Sequence, residues 1–513
     1  LKSAVELFGQ HEILLTGANG FVGKVLLGLL IDRFPDLKHL HVLVRPRQGV
    51  SPRERFFNEV LNSPCLKPVV ERTAPKFFEE RISVHAGDVG DPLLGLNDES
   101  LEALSGRISV IINCAGLVEF FAPVDESFKS NVDGVENAVA AARRLGARLV
   151  HISTCFVCGE SHGLVEESEP IFGYYPRRKG PEDNSFDPRE EVSFIRTQVR
   201  EVYAAAAKRG ASRHKEIAQR LIDLGRQRAA QWGWVNTYTY SKSLGEQLLV
   251  AAPQIEYAIV RPAIVEAALE FPFPGWVEGG RTAAPLIMMA MAGLRHWPIR
   301  PEFPLEVVPV DQVASSILTA TVMLLNGVGP RVYQISTADR NPVYLGQLVQ
   351  WMYEEHVAQK RRNGRRHLLR LPLHRGARVV SPHRAKARRM ALTRRITGLH
   401  RFVVGLRRVV QQTGLPGRRP LAQLGAKLRV LGLQLNIREQ ALELYRPFML
   451  DNRFVFEAEN IRIAHSMLNQ DDRSRLPWTP ERIDWKHYWV NHEIHGIQKW
   501  VEAEATKGWS FKV

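Results

Sequence analysis

The stretch Ile13-Leu14-Leu15-Thr16-Gly17-Ala18-Asn19-Gly20-Phe21-Val22-Gly23 decides the fold. An apolar run that ends in a glycine turn and continues into an apolar helix is how a buried first strand delivers a helix N-terminus to a pyrophosphate. Gly17 permits the tight turn, Gly20 lets the backbone approach the phosphates, and Gly23 lets the helix pack close to the strand. Thr16, Asn19, Phe21 and Val22 belong to the same candidate dinucleotide-binding turn.

Working outward, strand-like apolar runs at 12–16, 40–44, 82–85, 108–113, 148–153 and 256–260 alternate with helical patterns at about 22–33, 52–62, 98–105, 124–145 and 236–251. This alternation predicts a parallel sheet covered by helices on both faces. From Val124 to Leu145, Val124, Phe128, Val132, Val135, Val139 and Ala142 recur at helical spacing, so this helix should cover the sheet. Residues about 160–234 break the pattern with four prolines and then a charged helical stretch, which reads as an insertion beside the mouth of the sheet. Past Pro262 come an aromatic segment from Phe271 to Trp276 and the methionine-containing run Pro285 to Met291, which suits either an acyl channel or a buried core helix. The expected division is 1–355 for the sheet domain, 356–438 for a basic, partly amphipathic segment, and 439–513 for a helical C-terminal domain.

Tyr238 and Lys242 carry the chemical signal. Four residues apart on a helix, they share one face. A phenol is a weak acid with a pKa of about 10, and a nearby ammonium makes it a better proton donor to a developing alkoxide. Upstream, Leu149-Val150-His151-Ile152 runs into Ser153-Thr154, a hydroxyl pair at the carboxyl end of a parallel strand, where open sheets bind their ligands. Position alone leaves the choice between the two hydroxyls open.

Composition bounds the rest. A chain of 513 residues, 45% hydrophobic, is long enough for two or three domains with sizeable cores. Four cysteines are too few for a disulfide framework and suit a reducing, cytoplasmic setting. No signal peptide is expected from the first residues, and the apolar stretch Ala283–Leu294, at 12 residues, is short of the roughly 20 that span a bilayer. Charge is segregated: His356 to Arg438 holds 22 Lys and Arg and no Asp or Glu, while the whole chain carries a formal +15. That segment can attract anionic lipid, phosphates or an acidic protein. No nucleic-acid reader motif accompanies it, so nucleic acid ranks last among its partners.

Taken together, Thr16 to Gly23, Gly87-Asp88-Val89, Asn113-Cys114-Ala115-Gly116, Asn131-Val132-Asp133-Gly134, Ser153-Thr154 and Tyr238 to Lys242 resemble the extended short-chain dehydrogenase/reductase superfamily in order and spacing. More narrowly, Asn236 to Lys242, Arg261-Pro262-Ala263-Ile264-Val265 and Pro274-Gly275-Trp276-Val277 resemble the fatty acyl-CoA reductases, over about residues 10 to 350. Ile483-Asp484-Trp485 and Tyr488 are loosely similar to that family's C-terminal domain. The resemblance implies an α/β fold, a Rossmann-type doubly wound parallel sheet with a mostly helical C-terminal domain. It implies Thr154 as the working hydroxyl with Ser153 its neighbour, Tyr238 as proton donor, Lys242 as the group that lowers its pKa and binds the ribose, and Asn131 as a support for Lys242 through water. Asp88 and Val89 would flank the adenine, Ala115 and Gly116 the ribose and phosphate, and Pro262 with Ile264 the nicotinamide.

Cofactor choice has a physical argument of its own. After the second strand, where an acidic residue would bind the adenosine ribose hydroxyls, this chain has Val44-Arg45-Pro46-Arg47. Arg45 and Arg47 suit a 2′-phosphate, and no carboxylate in that stretch opposes them, so NADPH is the expected cofactor. The expected activity is reduction of a long-chain fatty acyl-CoA to aldehyde and on to primary alcohol, with peripheral membrane or acyl carrier protein contact through 356–438. Alternatives on the same scaffold are a reductase that stops at aldehyde or uses acyl carrier protein thioesters, a sugar-nucleotide or steroid-type dehydrogenase or epimerase, and an idle NADPH-binding protein. Cys155 and Cys158, read as continuing a strand, would point to opposite faces, and His487, His492 and His495 lack companion ligands, so no metal site is expected.

Overall fold

The computed structural model describes residues 1–167, 172–180, 182–208, 214–252, 254–280, 282–362, 376–413 and 418–502. Seven strands form one sheet: β1 (Glu12–Thr16), β2 (His39–Val44), β3 (Ile82–Ala86), β4 (Ile108–Asn113), β5 (Arg148–Ile152), β6 (Tyr257–Pro262) and β7 (Val332–Ile335). Their order is β7-β6-β5-β4-β1-β2-β3, and every neighbouring pair is parallel. The chain winds outward from β1 in one direction, then returns to β4 and winds outward in the other. The crevice between the carboxyl ends of β1 and β4 is therefore the topological switch point, where such sheets bind ligands.

Residues of β1 are buried throughout, as expected of a strand covered on both faces. The helix Phe21–Arg33 (α1) packs beside Val310–Leu325 (α4), and Gly134–Leu145 (α2) packs beside Thr237–Val250 (α3). Leu14, Ile111, Leu149 and Ile259 of the sheet join Val135, Ala138, Val139 and Ala142 of α2 in one apolar cluster. The expected strands all form within a residue or two of their anticipated limits, although β5 ends at Ile152 rather than at Ser153. Neither β7 nor α4 was anticipated. Asn326-Gly327-Val328-Gly329-Pro330 separates the two, and Val310, Val313, Ala314, Ile317 and Leu318 recur at helical spacing, so both were legible; in the fold fifteen α4 residues are buried, Asp311, Gln312, Ser315 and Ser316 among them.

The chain divides into two compact units at positions other than the expected ones. The first comprises Leu1–Thr282, Glu306–Pro342 and Phe454–Val501, and the second is built from Ala283–Leu305 and Val343–Arg453. Two contacts explain the departure from limits at 355 and 438. Within the second unit the helix Ala284–Met291 packs against Leu345–Arg362, burying Ile287 and Met289, so the methionine run serves a core there. Within the first unit the amides of Phe456 and Ala458 donate to Glu306 and Asp339, tying the tail to the sheet. The anticipated insertion forms two helices, Pro188–Lys208 and His214–Trp232. Glu191 and Arg228 of these helices pair with each other, and Glu191 accepts from the buried Tyr240 hydroxyl of α3.

At the β1–β2–β3 side of the sheet, His41 is buried with Nε2 3.0 Å from Glu12 Oε2 and Nδ1 2.9 Å from His85 Nε2. Burial holds His41 down at about 4 and lowers His39 and His85 as well. These rings fold neutral, whereas the unfolded chain takes up protons below about pH 6.5. Their contribution to stability is complete above that pH and is lost as pH falls toward 4. Urea unfolding should therefore show stability dropping by a few kcal/mol across this window, with His41→Gln flattening the profile. An equally steep profile in His41→Gln would contradict the assignment.

Candidate active site

Each wall of the switch point is built by backbone constraints. Thr16 Oγ1 donates to Asn113 Oδ1 at 2.8 Å and accepts from the Ala115 amide at 3.2 Å, joining the ends of β1 and β4. Gly17 has φ +73°, and a side chain there would begin 2.6 Å from Ala115 N. A side chain at Gly23 would begin 2.0 Å from the Gly17 carbonyl oxygen. Gly20 is the N-cap of α1 and no side chain caps that helix, so its first-turn amides face the turn without a side-chain acceptor. Asn19 is exposed at the turn, with Phe21 and Val22 half-buried behind it. This cradle fits an anionic pyrophosphate.

Thr154 follows β5 and links it to β6. Its Oγ1 donates to the Pro262 carbonyl at 3.3 Å and accepts from the Phe156 amide at 3.3 Å. It also lies close enough to the Tyr238 phenol to act on its titration. Ser153 is buried beside it, and its hydroxyl has no partner among the described residues. The two hydroxyls are thus distinguished: Thr154 meets Tyr238, and Ser153 does not. Because the strand stops at Ile152, Cys155–Cys158 form a 3-10 turn instead of continuing it. Cys155 donates to the Arg261 carbonyl and Cys158 to the Gly159 carbonyl, and burial raises both thiols.

Asn236 starts α3 by accepting from the Thr239 amide at 2.9 Å, which puts Tyr238 in the first turn. Burial pushes the Tyr238 phenol up to about 12, opposed by the nearby Thr154 hydroxyl. The depressed phenol expected from its spacing to Lys242 is not found. The reason is where the ammonium goes: Lys242 Nζ donates to the Ile152 carbonyl at 2.9 Å and lies 3.0 Å from where a side chain at Gly116 would begin. Burial pulls Lys242 down to about 8, with Cys114 and Glu246 acting the other way. Asn131 accepts from the Leu117 amide and donates to the Leu117 carbonyl and Ser241 Oγ, each at 3.0 Å. It fixes the loop carrying Gly116, which Lys242 also borders.

At the outer rim the arginines are not free of carboxylates. Arg45 pairs with Asp88 at 3.0 Å and Arg47 with Glu59 at 3.3 Å, while both remain largely exposed. The local sequence around Arg45 contains no acid, and these partners arrive from the turn after β3 and from the helical turn Phe56–Leu61. The Val89 side chain lies in the sheet core and its carbonyl accepts from Asn137 at 2.9 Å. Pro262 closes β6, and Ile264 is half-buried with its amide donating to the Glu306 carbonyl.

Sequence reasoning missed three buried acids that brace the site. Glu246, one turn after Lys242, makes a bidentate ion pair with Arg261 beneath β6. Its spacing from Lys242 was the available signal. Glu306 accepts from the amides of Phe456, Thr337 and Ala338, and burial pushes it up to about 8. Glu493 accepts from the Ala267 amide at 2.8 Å, just beyond Ile264. No local pattern marks either.

Comparison with known proteins agrees with this geometry. The family model described as male sterility protein, an NAD-binding domain, matches residues 15–317. The chain is 29% identical over 358 residues, 68% of its length, to the alcohol-forming fatty acyl-CoA reductase of Simmondsia chinensis, covering 71% of that protein. It is 26% identical to the probable fatty acyl-CoA reductase 4 of Arabidopsis thaliana over 98% of this chain and 99% of that one. In fold it is similar to the terminal R domain of the myxalamid PKS-NRPS biosynthetic pathway, with a TM-score of 0.52, 17% identity, and coverage of 95% and 91%. A switch-point cradle for a nicotinamide dinucleotide, with a tyrosine, a lysine and a hydroxyl gathered beside it, and a family match over more than half the chain establish that this protein belongs to the fatty acyl-CoA reductase family of the extended short-chain dehydrogenase/reductases.

Proposed function

We propose that this protein uses NADPH to reduce a long-chain fatty acyl-CoA to the aldehyde and then to the primary alcohol. The observation that carries the reading is the Tyr238 phenol set close enough to the Thr154 hydroxyl for that hydroxyl to act on its titration, at the end of β5 near the switch point. The glycine cradle, which a side chain at Gly17 or Gly23 would fill, fits the dinucleotide. Thr16 to Gly23 would hold the pyrophosphate, Asp88 and Val89 the adenine, Ala115, Gly116 and Lys242 the ribose and phosphate, and Pro262 with Ile264 the nicotinamide. When bound, the cofactor supplies hydride to the thioester carbon.

The chain's own residues manage the oxygen. Thr154 holds the carbonyl oxygen in line with Tyr238, which gives its phenolic proton as negative charge develops. A phenol held up at about 12 by burial is fully protonated at neutral pH and so is loaded to donate. Lys242, at about 8, keeps its charge at neutral pH and holds it beside the Gly116 loop, where the cofactor ribose would lie. Loss of the CoA thiol leaves aldehyde, and Tyr238 serves the second reduction in the same way. We place the enzyme in the cytoplasm at the membrane surface. Four free cysteines support the first part, and among the described residues no helix is long and apolar enough to cross a bilayer.

Gas chromatography after turnover of palmitoyl-CoA with excess NADPH should show hexadecanol. Accumulated aldehyde would overturn the second step, and absence of both products the whole reading. The rim arginines support the phosphorylated cofactor because each can form a charge-assisted pair with its 2′-phosphate. The double variant Arg45→Ala, Arg47→Ala should raise the KM for NADPH by roughly tenfold or more while leaving that for NADH unchanged. Equal effects on the two cofactors would contradict this assignment.

A further inference from the structure

In the second unit, Pro382–Thr413 (α5) and Arg418–Leu444 (α6) form an antiparallel pair. Val403 lies 3.7 Å from where a side chain would begin at Gly425, and Ile396 lies 3.9 Å from the corresponding point at Gly432, so numbers fall along one helix as they rise along the other. The seam between them holds Ile396, Val403 and Leu428. At about 100° per residue, Leu399, Phe402, Leu406 and Val409 make a second stripe on α5, turned roughly a quarter of the way round from the seam. This stripe is left in the open, with Phe402 66% and Val409 50% exposed. Leu424 and Leu431 of α6 are also exposed and turned from the seam in the same rotational sense. In an antiparallel pair the same sense brings both stripes to one broad side.

Single exposed apolar residues are ordinary, but a continuous stripe across two helices marks a contact surface. Its chemistry names the occupant. Arg394, Arg401 and Arg408 recur every seven residues along α5 beside the stripe. Only Gly398 and Gly405 lie between, and nothing stands within 4 Å of where their side chains would begin. The whole stretch from His356 to Arg438 has 22 cations and no acid. Two copies of such a face would repel each other. An apolar stripe bordered by an arginine row is instead the arrangement of a helix lying in a bilayer interface, with its side chains among the acyl chains and its guanidiniums on phosphates.

We propose that α5 and α6 dock this protein on an anionic bilayer, with Phe402 and its neighbours entering the headgroup boundary and Arg394, Arg401 and Arg408 engaging lipid phosphates. This assignment does not depend on the reductase reading, and its test needs no turnover. The full-length protein should co-sediment with phosphatidylcholine vesicles containing one-third phosphatidylglycerol. Binding should be at least about tenfold weaker to phosphatidylcholine alone and should weaken in high salt. The variant Arg394→Gln, Arg401→Gln, Arg408→Gln should lose about a hundredfold in affinity. Phe402→Glu with Leu406→Glu should abolish pelleting. In a separate variant that keeps the surface apolar, Phe402→Trp, the added fluorescence should be quenched by brominated lipid. Vesicle binding without anionic preference, pelleting unchanged in both charge variants, or an unquenched Trp at 402 would overturn the proposal. So would self-association that Phe402→Glu abolishes, or capture of acyl carrier protein in place of vesicles.

Discussion

Tyr238→Phe lowers kcat for acyl-CoA reduction by about 10³-fold, within the range expected for loss of a general acid, while leaving NADPH affinity and KM nearly unchanged. The substitution removes one oxygen from a half-buried ring that keeps its contact with Phe120, whose centroid lies 6.4 Å away. Packing therefore survives and only the phenolic oxygen with its proton, set beside Thr154, is lost. Thr154→Ala should cost less, about 10²-fold, because the phenol retains its proton and loses only its alignment. The pH profile separates the roles. With Tyr238 held at about 12 and Lys242 at about 8, kcat/KM should be flat near neutrality and fall above about pH 8 as the ammonium deprotonates. A Tyr238→Phe enzyme within tenfold of the parent would remove the phenol from the mechanism.

The second large effect is Gly23→Ala. By local preference alone this change stabilises a helix by about 1 kcal/mol. Here the new methyl would stand 2.0 Å from the Gly17 carbonyl oxygen, which is backbone and cannot swing aside. Either α1 moves off β1 or the turn opens, at a cost on the order of 3 kcal/mol, and both outcomes spoil the cradle. Urea unfolding should register the loss, and NADPH binding followed by fluorescence should weaken at least about tenfold. Gly146→Ala is the control for backbone conformation without crowding, since φ there is +71° and nothing lies within 4 Å. It should cost only about 1 kcal/mol and leave NADPH binding untouched. Equal losses in the two variants would mean that the close approach of α1 to β1 is unimportant.

Local chemistry made much of this site readable in advance. Gly17 and Gly23 mark the turn because a side chain at either would run into backbone, and the Tyr238–Lys242 spacing follows from helical geometry. Buried parallel strands announce themselves as apolar runs, which is why β1 to β6 were legible. Apart from β7 and α4, what escaped depended on contacts between distant segments. Glu306 and Phe456 are 150 residues apart, and Ala267 and Glu493 are 226 apart; nothing in either neighbourhood shows that an acid will be buried against a remote amide. Asp88 and Glu59 reach Arg45 and Arg47 in the same way, so a carboxylate-free stretch of sequence became a pair of ion pairs. Lys242 shows the limit of spacing arguments. Its helix position was right, but the carbonyl of Ile152, on another strand, decided where its ammonium points.

The most direct test of the central claim, that this chain reduces an acyl thioester through Tyr238, is to follow NADPH oxidation and free CoA thiol together during turnover of palmitoyl-CoA. Two NADPH oxidised for each CoA released, both signals lost in Tyr238→Phe, is the predicted result. No thiol release from the parent enzyme, or equal release from Tyr238→Phe, would contradict it.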